Sequence, residues 1–422
     1  MFGLKIYADL HIHSRHSRAT SKQLNIDNLE KWARIKGINL LGTGDFTHPE
    51  WIRELKEKLV TEEEGIYKTN TGFPFVLQSE ISLMYTQGKG RRIHLVLLAP
   101  NFDVVSQITD YLKTKGRVDY DGRPIFNISC HEFTEKMMSI SRDIEIIPAH
   151  IFTPWFGLFG SKTGFDSVEE AFRDQTGHIH ALETGLSSDP AMNWRLSALD
   201  KYTLVSSSDL HSFWPWRLGR EATIFDIKLT YKNLITALRT KQGLLGTIEV
   251  DPAYGKYHWD GHRACNVRFS PKETLKLKGI CPVCGRPLTI GVEYRVEQLA
   301  DRPAGYKPKG APWFKRLIPV SEILAKLLNS AVSSQKVWRE YNNLISTFGN
   351  EINVLLDVPY DDLKKATSSL IAEQIIANRH GSIKVDPGYD GEYGVPVFNE
   401  GDGLKFNELK IRQTQKGLND FM

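Results

Sequence analysis

Two short motifs, nearly two hundred residues apart, set the problem that this chain has to solve. Ile6-Tyr7-Ala8 runs into Asp9-Leu10-His11-Ile12-His13, and Leu204-Val205 runs into Ser206-Ser207-Ser208-Asp209-Leu210-His211. On an extended backbone alternate side chains share a face, so each motif aims a pair of ligand-type groups in one direction. Imidazoles and carboxylates converging at strand ends suit borderline divalent cations such as zinc, manganese or iron. An H-x-H alone fits one structural and one solvent-facing histidine equally well. A D-x-H on a second apolar strand turns the pattern toward a metal centre, and it demands a fold that brings the two strand ends together.

The intervening chain alternates strand and helix, which argues for a parallel α/β layout. Leu24 to Lys36 carries apolar Leu29, Trp32 and Ala33, with Asp27 at its start and Gly37 after its end, the boundary signals of a helix. Further strands are expected to end at or near Asp45, Glu80, His150, Glu183 and Asp209, with His94 near the start of another. Polar groups arriving one by one from the C-terminal ends of parallel strands are how barrel enzymes assemble active sites.

Over residues 1 to about 222 the paired motifs resemble the polymerase and histidinol phosphatase (PHP) family. The resemblance implies an α/β fold, a distorted (βα)7 barrel with a multinuclear metal site at its C-terminal mouth. His11, His13, Glu80, His150, Asp209 and His211 fall on the family's ligand motifs. Asp45 replaces the family's T-D-H ligand within Thr43-Gly44-Asp45-Phe46-Thr47-His48, and Ala19 stands where a further ligand is common. His94 is either a ligand or a buried, satisfied histidine; Glu183 suits a place behind the ligands. Two or three divalent metals (zinc, magnesium or manganese) held this way activate water for phosphoester hydrolysis. Asp209 and His211 are then the catalytic candidates, with Asp209 the most sensitive.

A second metal signature follows residue 250. Cys265 and the Cys281-Pro282-Val283-Cys284 knuckle have the spacing of a structural zinc site, completed by His262 or, as the other candidate, His258. Net charge is only +4, yet Arg263 to Arg316 holds twelve Lys or Arg against four Asp or Glu. That local excess favours a polyanion. Lys307, Lys309 and Lys315 lie among Tyr306, Trp313 and Phe314, a mixture suited to phosphate contact and base stacking. Phe152, Trp155 and Phe156 after His150, and Trp214 after His211, are candidates to stack on a displaced base.

Gly255-Lys256-Tyr257-His258, Asp260-Gly261-His262-Arg263, the C-P-x-C knuckle and Leu299-Ala300-Asp301-Arg302 together resemble the archaeal endonuclease Q family, over nearly the whole chain. The resemblance implies a metal-dependent DNA repair endonuclease that nicks 5′ of deaminated bases (uracil, hypoxanthine, xanthine) and abasic sites. Residues 1–250 would be the PHP barrel, 251–302 an inserted zinc-binding module, and 303–414 a basic linker with a C-terminal helical DNA-binding domain. A small-molecule phosphatase and a DNA-binding scaffold with a degenerate metal site are the rival readings. Pro319–Leu328, Val332–Phe348 and a segment from Pro359 to about Ile376 read as helices, and 383–398 as a hairpin or an extended arm. At the end of the chain, Gln415, Leu418, Phe421 and Met422 have the Q-x-x-Ψ-x-x-aromatic spacing by which repair proteins bind the sliding clamp (PCNA). No run of about 18 apolar residues marks a membrane span, and no leader precedes the first strand, which points to the cytoplasm.

Overall fold

The two motifs meet through a circuit of strands, seen in a computed structural model that describes residues 5–398. Ile6–Asp9 pairs in parallel with Leu40–Gly42, which pairs in parallel with Pro74–Gln87. Pro74–Gln87 turns back at Gly88 (φ 72°) into Lys89–Ala99, and the two run antiparallel from Leu77–Ala99 to Gln87–Lys89. Lys89–Ala99 runs antiparallel to Glu145–Pro148 as well. A bridge from Ile146 to Ile179 leads on to the parallel pair Ala181–Glu183 and Thr203–Val205. The bridge from Leu210 to Ile12 returns the circuit to its first strand. Ala222–Phe225, Leu244–Glu249 and Trp313–Arg316 extend the sheet outward from Ile6–Asp9.

This is a mixed sheet, not the purely parallel one expected. A parallel connection needs a crossover of a dozen or more residues, usually a helix. Between Glu80 and Arg92 there is no room for one, so the chain extends both strands into a hairpin. Glu80 and His94 consequently sit within strands and not at their ends. Ser82 faces His94 in the register, which makes Glu80 and His94 diagonal neighbours on one face.

The helix Ile26–Lys36 starts where Asn25 caps it, the side chain accepting from the Asn28 amide, and stops at Gly37 with φ 97°. Its inner face buries Ile26, Leu29 and Ala33 against the circuit. A small unit with the hairpin Asp260–His262/Val267–Phe269 and the helices Pro271–Lys276 and Val292–Leu299 follows the sheet. Beyond it come five helices, Val320–Leu327, Gln335–Phe348, Glu351–Leu356, Tyr360–Ala366 and Ser369–Arg379. The single helix expected from Pro359 to about Ile376 is two. Thr367 is extended, and the Ser368 side chain caps a fresh start by accepting from the Ile371 amide. Lys384–Asp386 and Val395–Val397 form the expected hairpin.

Beside the parallel pair Ala181–Glu183 and Thr203–Val205, Glu221 and Glu249 are both fully buried. Thr184 and Ser206 donate to Glu249 at 3.0 and 3.1 Å, and the Val250 amide donates to Glu221 at 3.2 Å. Burial pushes Glu221 up to about 8, and Glu249 is driven well above its usual range by burial and by Glu221. The folded protein therefore keeps a proton on Glu221 that the unfolded chain releases at about 4.5. Stability falls as pH rises between those values. Glu221→Gln should flatten that slope and stabilise the fold by about 1–2 kcal/mol at pH 8, read by thermal unfolding from pH 5 to pH 8. An unchanged slope would contradict a protonated Glu221 in the folded protein.

Candidate metal centre

The centres of the two motifs pair with each other. Ile12 bridges Leu210, both are fully buried, and the Asp209 amide donates to the His11 carbonyl at 3.0 Å. Their flanking residues must therefore project the other way, which brings His11, His13 and Asp209 together. Asp45 (φ 43°), His150 (φ 31°) and Asp209 (φ 46°) all occupy the left-handed region, which non-glycine residues seldom adopt. Each such conformation costs of order 1–3 kcal/mol, and at these three turns it sets the direction of side chains that meet in or behind the cluster.

The carboxylate of Glu80 stands at the centre. Its Oε2 lies 3.2 Å from His13 Nε2 and 3.5 Å from His11 Nε2. Asp209 Oδ1 is 3.1 Å from His13 Nε2 and 3.7 Å from His11 Nε2. The other oxygen, Oε1, lies 2.7 Å from His94 Nδ1 and 3.2 Å from His150 Nε2, and those two nitrogens are 3.2 Å apart. Two donor sets thus share one carboxylate: His11, His13, Glu80 and Asp209, and Glu80, His94 and His150. His11 Nε2, His13 Nε2 and Asp209 Oδ1 are buried without a hydrogen-bond partner. Ligands about 2.1 Å from one ion lie about 3.0–3.4 Å apart, so this donor set fits divalent cations. His94, for which two readings stood open, faces into the second set.

Other groups hold the ligands from behind. His11 Nδ1 contacts Glu183 at 3.0 Å, and Glu183 also accepts from the His150 amide at 2.9 Å. Asp45, expected as a ligand, lies behind His13: it faces His13 Nδ1 at 3.0 Å and accepts from the Ser14 amide and hydroxyl at 2.6 Å. Its oxygens are used up, so it orients the imidazole that it was expected to accompany. His211 is outside both donor sets; its Nδ1 lies 3.0 Å from the Asp209 carbonyl and its ring 4.8 Å from that of His13. A third of its side chain is exposed.

Sequence reasoning missed Arg123, whose Nη1 donates to Glu80 Oε2 at 3.1 Å. The turn that carries it packs so closely that a Cβ at Gly122 would collide with the Asp45 carboxylate. Burial alone would raise Glu80, but His94, Arg123 and His11 outweigh it and hold the carboxyl well below its usual range. Asp209 is likewise lowered against burial, chiefly by His11. Burial pushes His94 down to about 3 against the opposing pull of Glu80.

The lesion-specific endonuclease Q of Pyrococcus furiosus (PfuEndoQ) has a closely similar structure. It is 32% identical with a TM-score of 0.85, over 94% of this chain and 96% of that one. The chain belongs to the endonuclease Q family, a family of nucleases. A structure of endonuclease Q with a 27-mer duplex substrate, an abasic lesion at its active site, matches at 33% identity and TM-score 0.84, over 94% and 97% of the two chains. Residues 319–382 match the family described as the MJ0043 C-terminal domain. The uncharacterized protein MJ0043 of Methanocaldococcus jannaschii is 31% identical over 289 residues, which is 67% of this chain but only 35% of that longer protein.

Elsewhere in the chain, His262, Cys265, Cys281 and Cys284 form a third donor group, with His262 Nδ1 3.4 Å from Cys284 Sγ. His258 is apart from it, with Nε2 3.6 Å from Glu293 and little of its side chain exposed. Three thiols and one imidazole without an open position suit a closed tetrahedral ion. Phe152, expected to face DNA, is instead fully buried and packs on Phe159 at 5.4 Å. Phe156 is half-buried and lies 4.3 Å from the His94 ring at φ 68°. Trp155 is also half-buried, edge-on to Tyr257. Trp214 packs among tryptophans and not over the cluster. Lys307 and Lys309 are exposed, whereas Lys315 donates to the Arg379 carbonyl at 3.2 Å. Gln415, Leu418, Phe421 and Met422 lie outside the described residues. Among the described residues, no helix is long and apolar enough to cross a membrane.

Metal analysis tests this geometry. Manganese titration should show Glu80→Gln losing both ions and His94→Ala losing only the second. Equal loss in the two variants would mean that Glu80 does not bridge. Cys284→Ser should release the ion of the third group and lower Tm without removing manganese.

Proposed function

We propose that this chain is a metal-dependent DNA repair endonuclease built on a distorted PHP-type barrel. It nicks the phosphodiester 5′ of deaminated bases (uracil, hypoxanthine, xanthine) and of abasic sites. The observation that carries the reading is the division of Glu80 between two donor sets, the arrangement expected of a paired-cation phosphodiesterase. Divalent zinc, magnesium or manganese ions held there would supply activated water and neutralise phosphate charge.

The chain's own residues do the rest. Asp209 and Glu80 place anionic oxygens on the floor of the site, and Glu183 and Asp45 fix the rings of His11 and His13. Arg123 adds a half-buried guanidinium beside Glu80, positioned to hold a phosphate oxygen. His211, anchored through Nδ1 and partly exposed, would use Nε2 for proton transfer. Phe156, against His94, and its neighbour Trp155 would stack on an extruded base. Lys307 and Lys309 would contact phosphate. The group of three cysteines and one histidine would be a structural zinc site in a module at 251–302, 303–414 the basic linker and helical DNA-binding domain, and 415–422 the clamp-binding tail. A phosphatase for small substrates would have no use for this apparatus, and a degenerate scaffold would not keep both donor sets.

Labelled duplexes carrying one uracil, inosine or abasic site, incubated with magnesium, manganese or zinc, test the reading. The wild-type protein should cut 5′ of the lesion, and Asp209→Ala should reduce cutting to below a few per cent with unchanged circular dichroism. Activity retained above that level would overturn the role of Asp209. Replacing Trp155 and Phe156 by Ala should weaken binding to lesion duplex more than to undamaged duplex; equal weakening would return the pair to packing.

A further inference from the structure

The loop that presents Asp209 and His211 is held at its base by one buried carboxylate. Asp9 accepts from the Ser208 amide at 2.9 Å and from the Gly219 amide at 3.0 Å, so both ends of the loop hang on the first strand. The far side of the loop is held by something else. Lys36 Nζ donates to the Pro215 carbonyl at 2.8 Å and to Glu351 Oε1 at 2.7 Å. Only 2% of the lysine side chain is exposed and none of the glutamate's. Glu351 also accepts from the Val320 amide at 3.0 Å and from the Tyr341 hydroxyl at 2.7 Å. One ammonium therefore joins the helix Ile26–Lys36, the loop after D-x-H, and the helices that follow residue 319.

Rings reinforce that junction. Trp214 and Trp216 lie parallel at 5.5 Å and 5°, and Trp338 of the helical unit meets them at 5.6 and 5.9 Å. The fit is tight on both sides. A Cβ at Gly37 would stand 2.5 Å from Asn350 Oδ1, and one at Gly219 would stand 2.6 Å from Ile38 Cγ1. Packed apolar residues could match a buried ion pair in stability. What they could not do is pull on a chosen carbonyl of the loop, and that is what Lys36 does.

We propose that the helical unit at 319–382 acts as a positioning element for the metal centre, transmitted through Lys36, Glu351 and the tryptophan stack to the loop carrying Asp209 and His211. The proposal rests on reading that cluster as a metal-dependent nuclease site. Lys36 touches neither ligand nor substrate; it is a positioning residue. Loosening the loop displaces Asp209 from His11 and His13 while the rest of both donor sets stays in place.

The test uses the full chain carrying Lys36→Met, with Lys36→Arg as the conservative variant and Trp338→Ala as an independent break of the same junction. Three quantities are read: manganese affinity by electron paramagnetic resonance, amide exchange over 209–218, and kcat with KM on an abasic-site duplex. Lys36→Met and Trp338→Ala should each weaken manganese binding, speed exchange across the loop, and lower kcat about 10- to 100-fold with KM little changed. Lys36→Arg should recover most of the loss. Variants that lower Tm but keep wild-type manganese affinity and loop exchange would reduce the junction to structural support and overturn the proposal. Should Lys36→Met not fold, Trp338→Ala decides on the same readouts. Manganese affinity and exchange do not depend on cleavage. A wild-type protein that fails to nick DNA while the variants still lose manganese would therefore sink the nuclease reading and leave the positioning role standing.

Discussion

A carboxylate with no solvent exposure, Glu80, is the constraint around which this molecule is arranged. An ionised carboxylate taken out of water is several kcal/mol unfavourable unless cations or donors surround it. Here one oxygen faces the rings of His11 and His13 and the guanidinium of Arg123, and the other faces His94 and His150. Supplying those partners takes two strands for histidines 94 and 150, a turn for Arg123, and the first strand for His11 and His13. The closed circuit of strands is what lets sequence-distant segments reach one carboxylate together.

Around that centre a layered logic repeats. His11 is backed by Glu183 and His13 by Asp45, each on Nδ1, which leaves Nε2 as the nitrogen aimed inward. Asp45 is itself held by Ser14 and Ser17. Such fixing matters because an imidazole free to rotate would find other hydrogen bonds and leave the donor set. Three left-handed residues at Asp45, His150 and Asp209 are tolerated for the same reason, since the large core beneath them over-determines their conformation.

What was legible in the chain followed chemistry and period. H-x-H and D-x-H could be read because a strand's alternation fixes which side chains share a face, and six of the eight expected ligands fall into the two donor sets. The three-cysteine knuckle was legible because thiols at that spacing have few other uses. Asp45 was misplaced because a carboxylate after a strand looks the same whether it meets the ion or the ring beside it. Only the φ of 43° and the bonds from Ser14 decide. Arg123 gave no signal: it comes from a polar turn whose Asp121-Gly122 neighbours read as an ordinary loop. The aromatic loop after His150 has no periodicity, so nothing distinguished core-facing Phe152 from Phe156 beside His94. The strand expected to end at Glu80 and the one expected to start near His94 are the two arms of one hairpin, joined by the turn at Gly88.

The junction of Lys36 and Glu351 raises a question of design that burial alone does not answer. Lys36 is as buried as the core around it, and nearby Trp32, Trp214, Trp216 and Trp338 could be joined by apolar contact without any charge. Apolar contacts are non-directional and tolerate small shifts, whereas an ammonium between a carbonyl and a carboxylate holds both through short, charge-assisted hydrogen bonds. Precision of that kind has value only where something downstream depends on it. Pro215 follows His211 by four positions, and the stretch between is too short to absorb a displacement at one end without passing it to the other. The buried charge is thus best understood as the far support of the same geometry that Asp9 supports from below, with the donor set of Asp209 suspended between them.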